Sequence, residues 1–141
     1  MNKALIITDN PIIASVIEAK LSTAGWTNEK VSTNAMMGGN SAFVRNHHCV
    51  ILIIDVDFIK RFGSIIVEMS AMIRNCSIYT PLYLVFEDDY DPCFASWSQH
   101  AKDLFMLAIH DYHLHDAISK IIQLETECVP RTSFCSPMDS F

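Results

Sequence analysis

Residues 4–7, 50–54, 82–86 and 104–109 are apolar on consecutive positions, not on alternate ones. Short unbroken runs of this kind are how strands covered on both faces look. Residues 26–31 mix polar and apolar positions, which suits a weaker strand at a sheet edge. Helical spacing fills the intervals. In the first, Asn10 is a capping residue, Pro11 suits the first helical position, Gly25 can close the end, and Ile13, Val16, Ile17 and Leu21 share one face. A second helix is predicted over 34–46, although Gly38 and Gly39 together cost it about 2 kcal/mol against alanine, so tertiary packing must hold it. The third, over 63–74, places Ile65, Ile66, Met69, Met72 and Ile73 at helical spacing, and its methionines read as core filler. A fourth, over 92–100, is short and poorly patterned. The fifth carries Leu114, Ala117, Ile118, Ile121 and Ile122 and ends near Glu125.

Strand and helix thus alternate five times. Right-handed crossovers with short connections then give a parallel sheet between helical layers. The expected architecture is a flavodoxin-like α/β fold, a (βα)5 three-layer sandwich with strand order 2-1-3-4-5. One domain over residues 1–125 follows. Beyond Glu125 the pattern stops, and 126–141, with Pro130 and Pro137 among Ser and Thr residues, reads as a flexible tail or linker.

Composition narrows this further. Half of the 141 residues are apolar, enough for an ordinary core, which excludes a disordered chain. The longest apolar run, Cys49 to Ile54, is far short of the roughly 20 residues that span a bilayer. The run beginning at Ala4 is stopped by Thr8 and Asp9 before it can form a signal peptide. A cytoplasmic protein without a membrane partner is expected. The formal charge of −6 opposes direct contact with nucleic acid, whose affinity comes largely from Lys and Arg. Cys49, Cys76, Cys93, Cys128 and Cys135 are odd in number and show no C-x-x-C spacing, so reduced thiols are the simplest reading.

Ligands of such sheets bind at the carboxyl ends of the strands. Strand one runs into Thr8-Asp9-Asn10-Pro11, strand three into Asp55-Val56-Asp57, and strand four into Glu87-Asp88-Asp89. Carboxylates converge there from three strand ends, and hard oxygen ligands of this kind suit Mg²⁺. The histidines suggest zinc instead, at His110, His113 and His115 or at His47-His48-Cys49. However, His113 and His115 point to different faces of a helix, and Cys49 lies roughly 20 Å from Asp55 along the strand at about 3.3 Å per residue. Solvated or capping histidines are the simpler account. An FMN phosphate would need a hydroxyl- and glycine-rich loop after strand one, where this chain offers one hydroxyl and a repelling carboxylate.

Over nearly all of residues 3–125 the sequence resembles the receiver domains of bacterial two-component signalling. The resemblance rests on Lys3 to Pro11, with Thr8 and Asp9 at the acidic pair; on Val31, Ala35, Gly38, Asn40 and Ala42; on Asp55, Asp57 and Gly63; and on Thr80-Pro81 before strand four. It implies phosphoryl transfer from a histidine kinase to Asp55, with Mg²⁺ held by Asp9, Asp55 and the carbonyl of Asp57. The departures bear on that chemistry. Thr8 replaces one acidic residue, Phe86 stands where the family has a Ser or Thr, Leu107 replaces its phosphate-pairing Lys, and Ala108 and Ile109 replace its Pro and aromatic. Phosphorylation would add about two negative charges beside Asp9, Asp57 and Asp88 or Asp89, offset only if Lys60 or Lys102 reached in from a loop.

The expectation is therefore a degenerate receiver with Thr8, Phe86 and Leu107 at its switch positions, Mg²⁺ binding weak or absent, and no enzymatic activity. It would act as an interaction or dimerisation module, regulating transcription through an attached or partner DNA-binding domain. The alternative is a phosphoaccepting response regulator modified on Asp55 by a histidine kinase with Mg²⁺. A homodimer or partner surface is expected at helix four, strand five and helix five, with Trp97 and Tyr112 as exposed aromatic anchors.

Overall fold

Successive side chains of a strand point to opposite faces, so an unbroken apolar run has to be covered on both. A computed structural model describes residues 2–33, 46–86, 97, 99–106 and 111–134. Its strands β1 (Lys3–Ile7), β2 (Thr27–Val31), β3 (Cys49–Ile54), β4 (Leu82–Phe86) and β5 (Asp103–Met106) form one sheet of order β2-β1-β3-β4-β5. All four pairings are parallel, with Leu5 opposite Val50 and Ile54 opposite Phe86. The half-polar β2 takes an edge, as its pattern requires.

The helices are α1 (Pro11–Thr23), α2 (Val56–Phe62), α3 (Ile66–Tyr79), which follows a 3-10 turn at Gly63–Ile65, and α4 (Asp111–Phe134). Alternation along the strands divides the core in two. Leu5, Ile7, Val50, Leu52, Ile54, Leu84 and Phe86 face one side, where Phe58 of α2 and Met69, Ile73 and Cys76 of α3 cover them. Ala4, Ile6, Ile51, Ile53, Tyr83 and Val85 face the other, covered by Ile17 and Leu21 of α1 and Leu114, Ile118 and Ile121 of α4. This is the expected three-layer sandwich. Asn10 caps α1 as expected, its Oδ1 accepting from the Ile12 and Ile13 N–H groups at 2.9 and 3.2 Å. Gly25 then leaves the helix at φ +84°, a backbone conformation open to glycine at little cost.

Four features differ from the sequence expectation. Helix α2 follows β3 directly, where no helix was expected, because the Asp55 side chain caps it. The helix expected from residue 63 begins after the 3-10 turn and runs on to Tyr79. Helix α4 continues past Glu125 to Phe134, because its apolar stripe marks only where it lies on the sheet, not where it stops. Trp97, expected as an exposed anchor, is buried at 1% exposure. Its ring meets Phe58 edge-on at 6.5 Å, and its indole N–H donates to Ser70 Oγ at 2.9 Å, so burial leaves no polar group unsatisfied. The helix expected over 34–46 falls almost wholly outside the described residues, as do most of 92–100 and the Tyr112 side chain. No described helix is long and apolar enough to cross a membrane.

Candidate functional site

The first strand end is built by short side chains that fold back on their own backbone. Thr8 is buried, and its Oγ1 accepts from the Asn10 N–H at 3.1 Å. The Thr8 N–H in turn donates to the Val31 carbonyl at 3.2 Å, tying the end of β1 to the end of β2. A hydroxyl thus shapes this turn where the family resemblance would place an acid. Beside it a cavity of about 290 Å³ opens, lined by Thr8, Asp9, Asn10, Pro11, Lys30, Val31 and Ser32.

Asp9 is engaged on both oxygens. Oδ1 accepts from the Thr33 N–H at 3.0 Å, while Oδ2 takes the Thr33 hydroxyl and the Arg61 Nη2 group. The same guanidinium donates to Thr33 Oγ1 at 3.1 Å, and its Nε lies 3.7 Å from Asp57 Oδ2. Asp57 and Arg61 are one helical turn apart on α2, the spacing at which side chains meet. Arg61 therefore links the ends of β1, β2 and β3 into one charged cluster.

Asp55 ends β3 and begins α2. One of its oxygens accepts the Phe58 N–H at 2.8 Å, and its carbonyl accepts the Ile59 N–H at 3.0 Å. Satisfying orphan donors in a helix's first turn is an ordinary capping role. The residues as arranged do not fit a divalent ion. Mg²⁺ demands near-octahedral oxygen ligands, whereas Asp9 is committed to Thr33 and Arg61, and Asp55 to the helix start. Among the described residues no group of three or more His, Cys, Asp or Glu is placed to hold a metal. The arrangement instead supports charge neutralisation within the protein.

Phe86 carries no exposed surface and lies in the same core cluster as Ile54, Phe58 and Trp97. It has no group to offer a phosphoryl oxygen, and the hydrophobic core accounts for its position. Leu107, Ala108, Ile109, Asp88 and Asp89 lie outside the described residues. Of the two lysines that might have reached the pocket, Lys102 does not: it pairs with Glu125 at the opposite end of the sheet.

That opposite end holds a polar cluster not anticipated from the sequence. Glu125 is 2% exposed and receives the Tyr83 hydroxyl, with Lys102 Nζ at 2.9 Å and His48 Nε2 at 3.2 Å. His47, also buried, reaches Glu29 at 2.9 Å. These partners give His47 and His48 structural roles. The signal in the sequence was a carboxylate in register with Leu114, Ile118 and Ile121 on an apolar helix stripe; for Arg61 it was the four-residue spacing from Asp57.

The geometry defines an architecture: a parallel α/β sandwich of order β2-β1-β3-β4-β5 with carboxylates at the ends of β1 and β3, similar in fold to response-regulator receiver domains of known structure. Solved structures bear this out. A CheY-like response regulator from Mesorhizobium loti superposes with a TM-score of 0.61 at 15% identity, over 84% of this chain and 96% of its own. A response regulator from Hahella chejuensis gives 0.62 at 17%, over 89% and 95%. A CheY-like receiver domain protein from Methanospirillum hungatei gives 0.59 at 16%, over 90% and 95%. A de novo designed Rossmann 2x3 protein also matches, at 0.57 and 13%, so the likeness is one of architecture. No protein-family model and no curated protein matches the sequence.

Proposed function

We propose that this chain is a noncatalytic signalling module, a receiver fold that works through protein contacts largely independently of phosphorylation at Asp55. The observation that carries this reading is Phe86, wholly buried at the position where the resemblance expects a hydroxyl that follows the phosphate. A ligand shifts a two-state equilibrium only through its differential affinity for the two states. With an aromatic ring fixed in the core, the hydroxyl contact that would supply much of that difference is absent. Output then passes to a second copy of the chain or another protein partner, and to transcription through an attached or associated DNA-binding domain. The pocket chemistry argues against strong Mg²⁺ binding, and the acidic charge against direct contact with nucleic acid.

Acetyl phosphate with Mg²⁺, followed by intact mass, tests this. No stable adduct is expected, and beryllium fluoride with Mg²⁺ should leave the amide shifts of β4 and β5 in place. A phosphoryl adduct that disappears in Asp55→Asn, together with saturable shift changes, would establish the other reading, a response regulator phosphorylated on Asp55 by a histidine kinase.

A further inference from the structure

Two carboxylates, Asp9 just beyond β1 and Asp57 at the start of α2, meet the same side chain. Arg61 Nη2 bonds Asp9 Oδ2, and Arg61 Nε lies 3.7 Å from Asp57 Oδ2. Thr33 completes the arrangement, donating N–H and hydroxyl to Asp9 while its own oxygen accepts from the guanidinium at 3.1 Å. We propose that Arg61 is the built-in cation of this carboxylate cluster, seated on Asp9 and Asp57 where a divalent ion would have to bind and so keeping that ion out. The inference rests on the receiver reading only in taking a divalent cation as the excluded ligand.

Three properties favour the guanidinium. It is always charged, so its hold on Asp9 does not weaken across the physiological pH range. Its planar fork makes directed hydrogen bonds to carboxylate oxygens, whereas Mg²⁺ needs six oxygens in near-ideal geometry and gives up its water reluctantly. It is also tethered to the cluster, four residues from Asp57 on the same helix, so it competes at an effective concentration in the millimolar range typical of short tethers. Because Asp9 and Thr33 lie beyond β1 and β2 while Arg61 lies on α2, the same contacts tie the neighbouring strand ends together.

The Arg61 side chain is 41% exposed, so Arg61→Met keeps its stem without opening the core. Mn²⁺ serves as the probe, its free concentration read by electron paramagnetic resonance and its site by broadening of amide signals. The wild-type chain should show no saturable uptake at low millimolar Mn²⁺. Arg61→Met should bind on the order of tenfold more tightly or better, within the ordinary range of coupling between two ligands of one protein, with broadening centred on Asp9 and Asp57. Adding Asp9→Asn to that variant should abolish the uptake. If Arg61→Met fails to fold, Arg61→Lys, which keeps the charge and loses the fork, should bind Mn²⁺ more tightly than wild type. Equal affinity in wild type and variants would overturn the proposal, as would no uptake in any of them. The two readings fail separately: uptake by no variant sinks the Arg61 proposal and leaves the phosphorylation-independent function standing, whereas a phosphoryl adduct on wild-type Asp55 sinks that function whatever Arg61 does.

Discussion

Cys49 and Cys76 are buried on opposite faces of the sheet, and burial penalises a thiolate. The Cys76 thiol is pushed up to about 11 by burial. Cys49 is pushed up further, by burial first and then by the negative charge of Glu125, against a smaller opposing effect of Lys102. Both are inert thiols at neutral pH, since the thiolate is the reactive form. Native protein at pH 8 should therefore be alkylated at these two positions only as fast as it unfolds, as peptide mapping would show; rapid labelling of either would contradict their burial. The sign of the pH dependence follows. The unfolded chain ionises first, so the stability Cys76 contributes is whole below about pH 9 and declines as pH rises toward 11. At Phe86, truncation to alanine should cost about 3–5 kcal/mol in urea unfolding, the ordinary range for emptying a buried aromatic site. A cost near zero would mean that the ring is not part of the core.

Helices α1 and α2 each begin at a strand end on a side-chain cap, and the two caps have different consequences. The Asn10 side chain accepts from two backbone N–H groups, so Asn10→Ala should lower stability by about 1 kcal/mol. Asp55 caps a helix of seven residues, too short to persist without its tertiary contacts. Asn can accept the same Phe58 N–H, so Asp55→Asn should melt close to wild type while Asp55→Ala loses about 1 kcal/mol. If the asparagine variant were as unstable as the alanine one, the negative charge and not the cap would be what matters at this position. Sequence reading separated these two positions poorly. Asn10-Pro11 is a local start signal, whereas Asp55 carries a cap and a candidate phosphoacceptor in one carboxylate, and the helix behind it has almost no amphipathic pattern to announce it.

Across the whole molecule, the Glu125 cluster fastens α4 to the amino end of the sheet, joining Tyr83 of β4, Lys102 before β5 and His48 before β3. A buried ionic group is costly once its partner is removed. Glu125→Ala should therefore destabilise the fold by about 3–5 kcal/mol, and Glu125→Leu with Lys102→Met should recover much of that loss, because two apolar groups leave no charge stranded. Urea unfolding of the three proteins decides it. A single-variant loss under about 0.5 kcal/mol would place the cluster among ordinary surface pairs.

The sheet was legible in the sequence because it depends on which residues must leave water. Ala4 to Ile7, Cys49 to Ile54 and Leu82 to Phe86 can be covered only by helices on both faces, and short right-handed connections leave few orders for such strands. The strand ends were legible for the same reason, and with them Asp9, Asp55 and Asp57. What the side chains do there was not. Hydrogen bonding and ion pairing depend on distances between residues far apart in the chain: Arg61 meets Asp9 and Thr33, and Glu125 meets Tyr83, only once the sheet has set their elements side by side. Trp97 shows the same limit, since a polar handle on a large ring suits an interface or a core, and the nearby Ser70 hydroxyl settles it for the core. Hydrophobic periodicity is a property of the chain; the partner of a charge is a property of the fold.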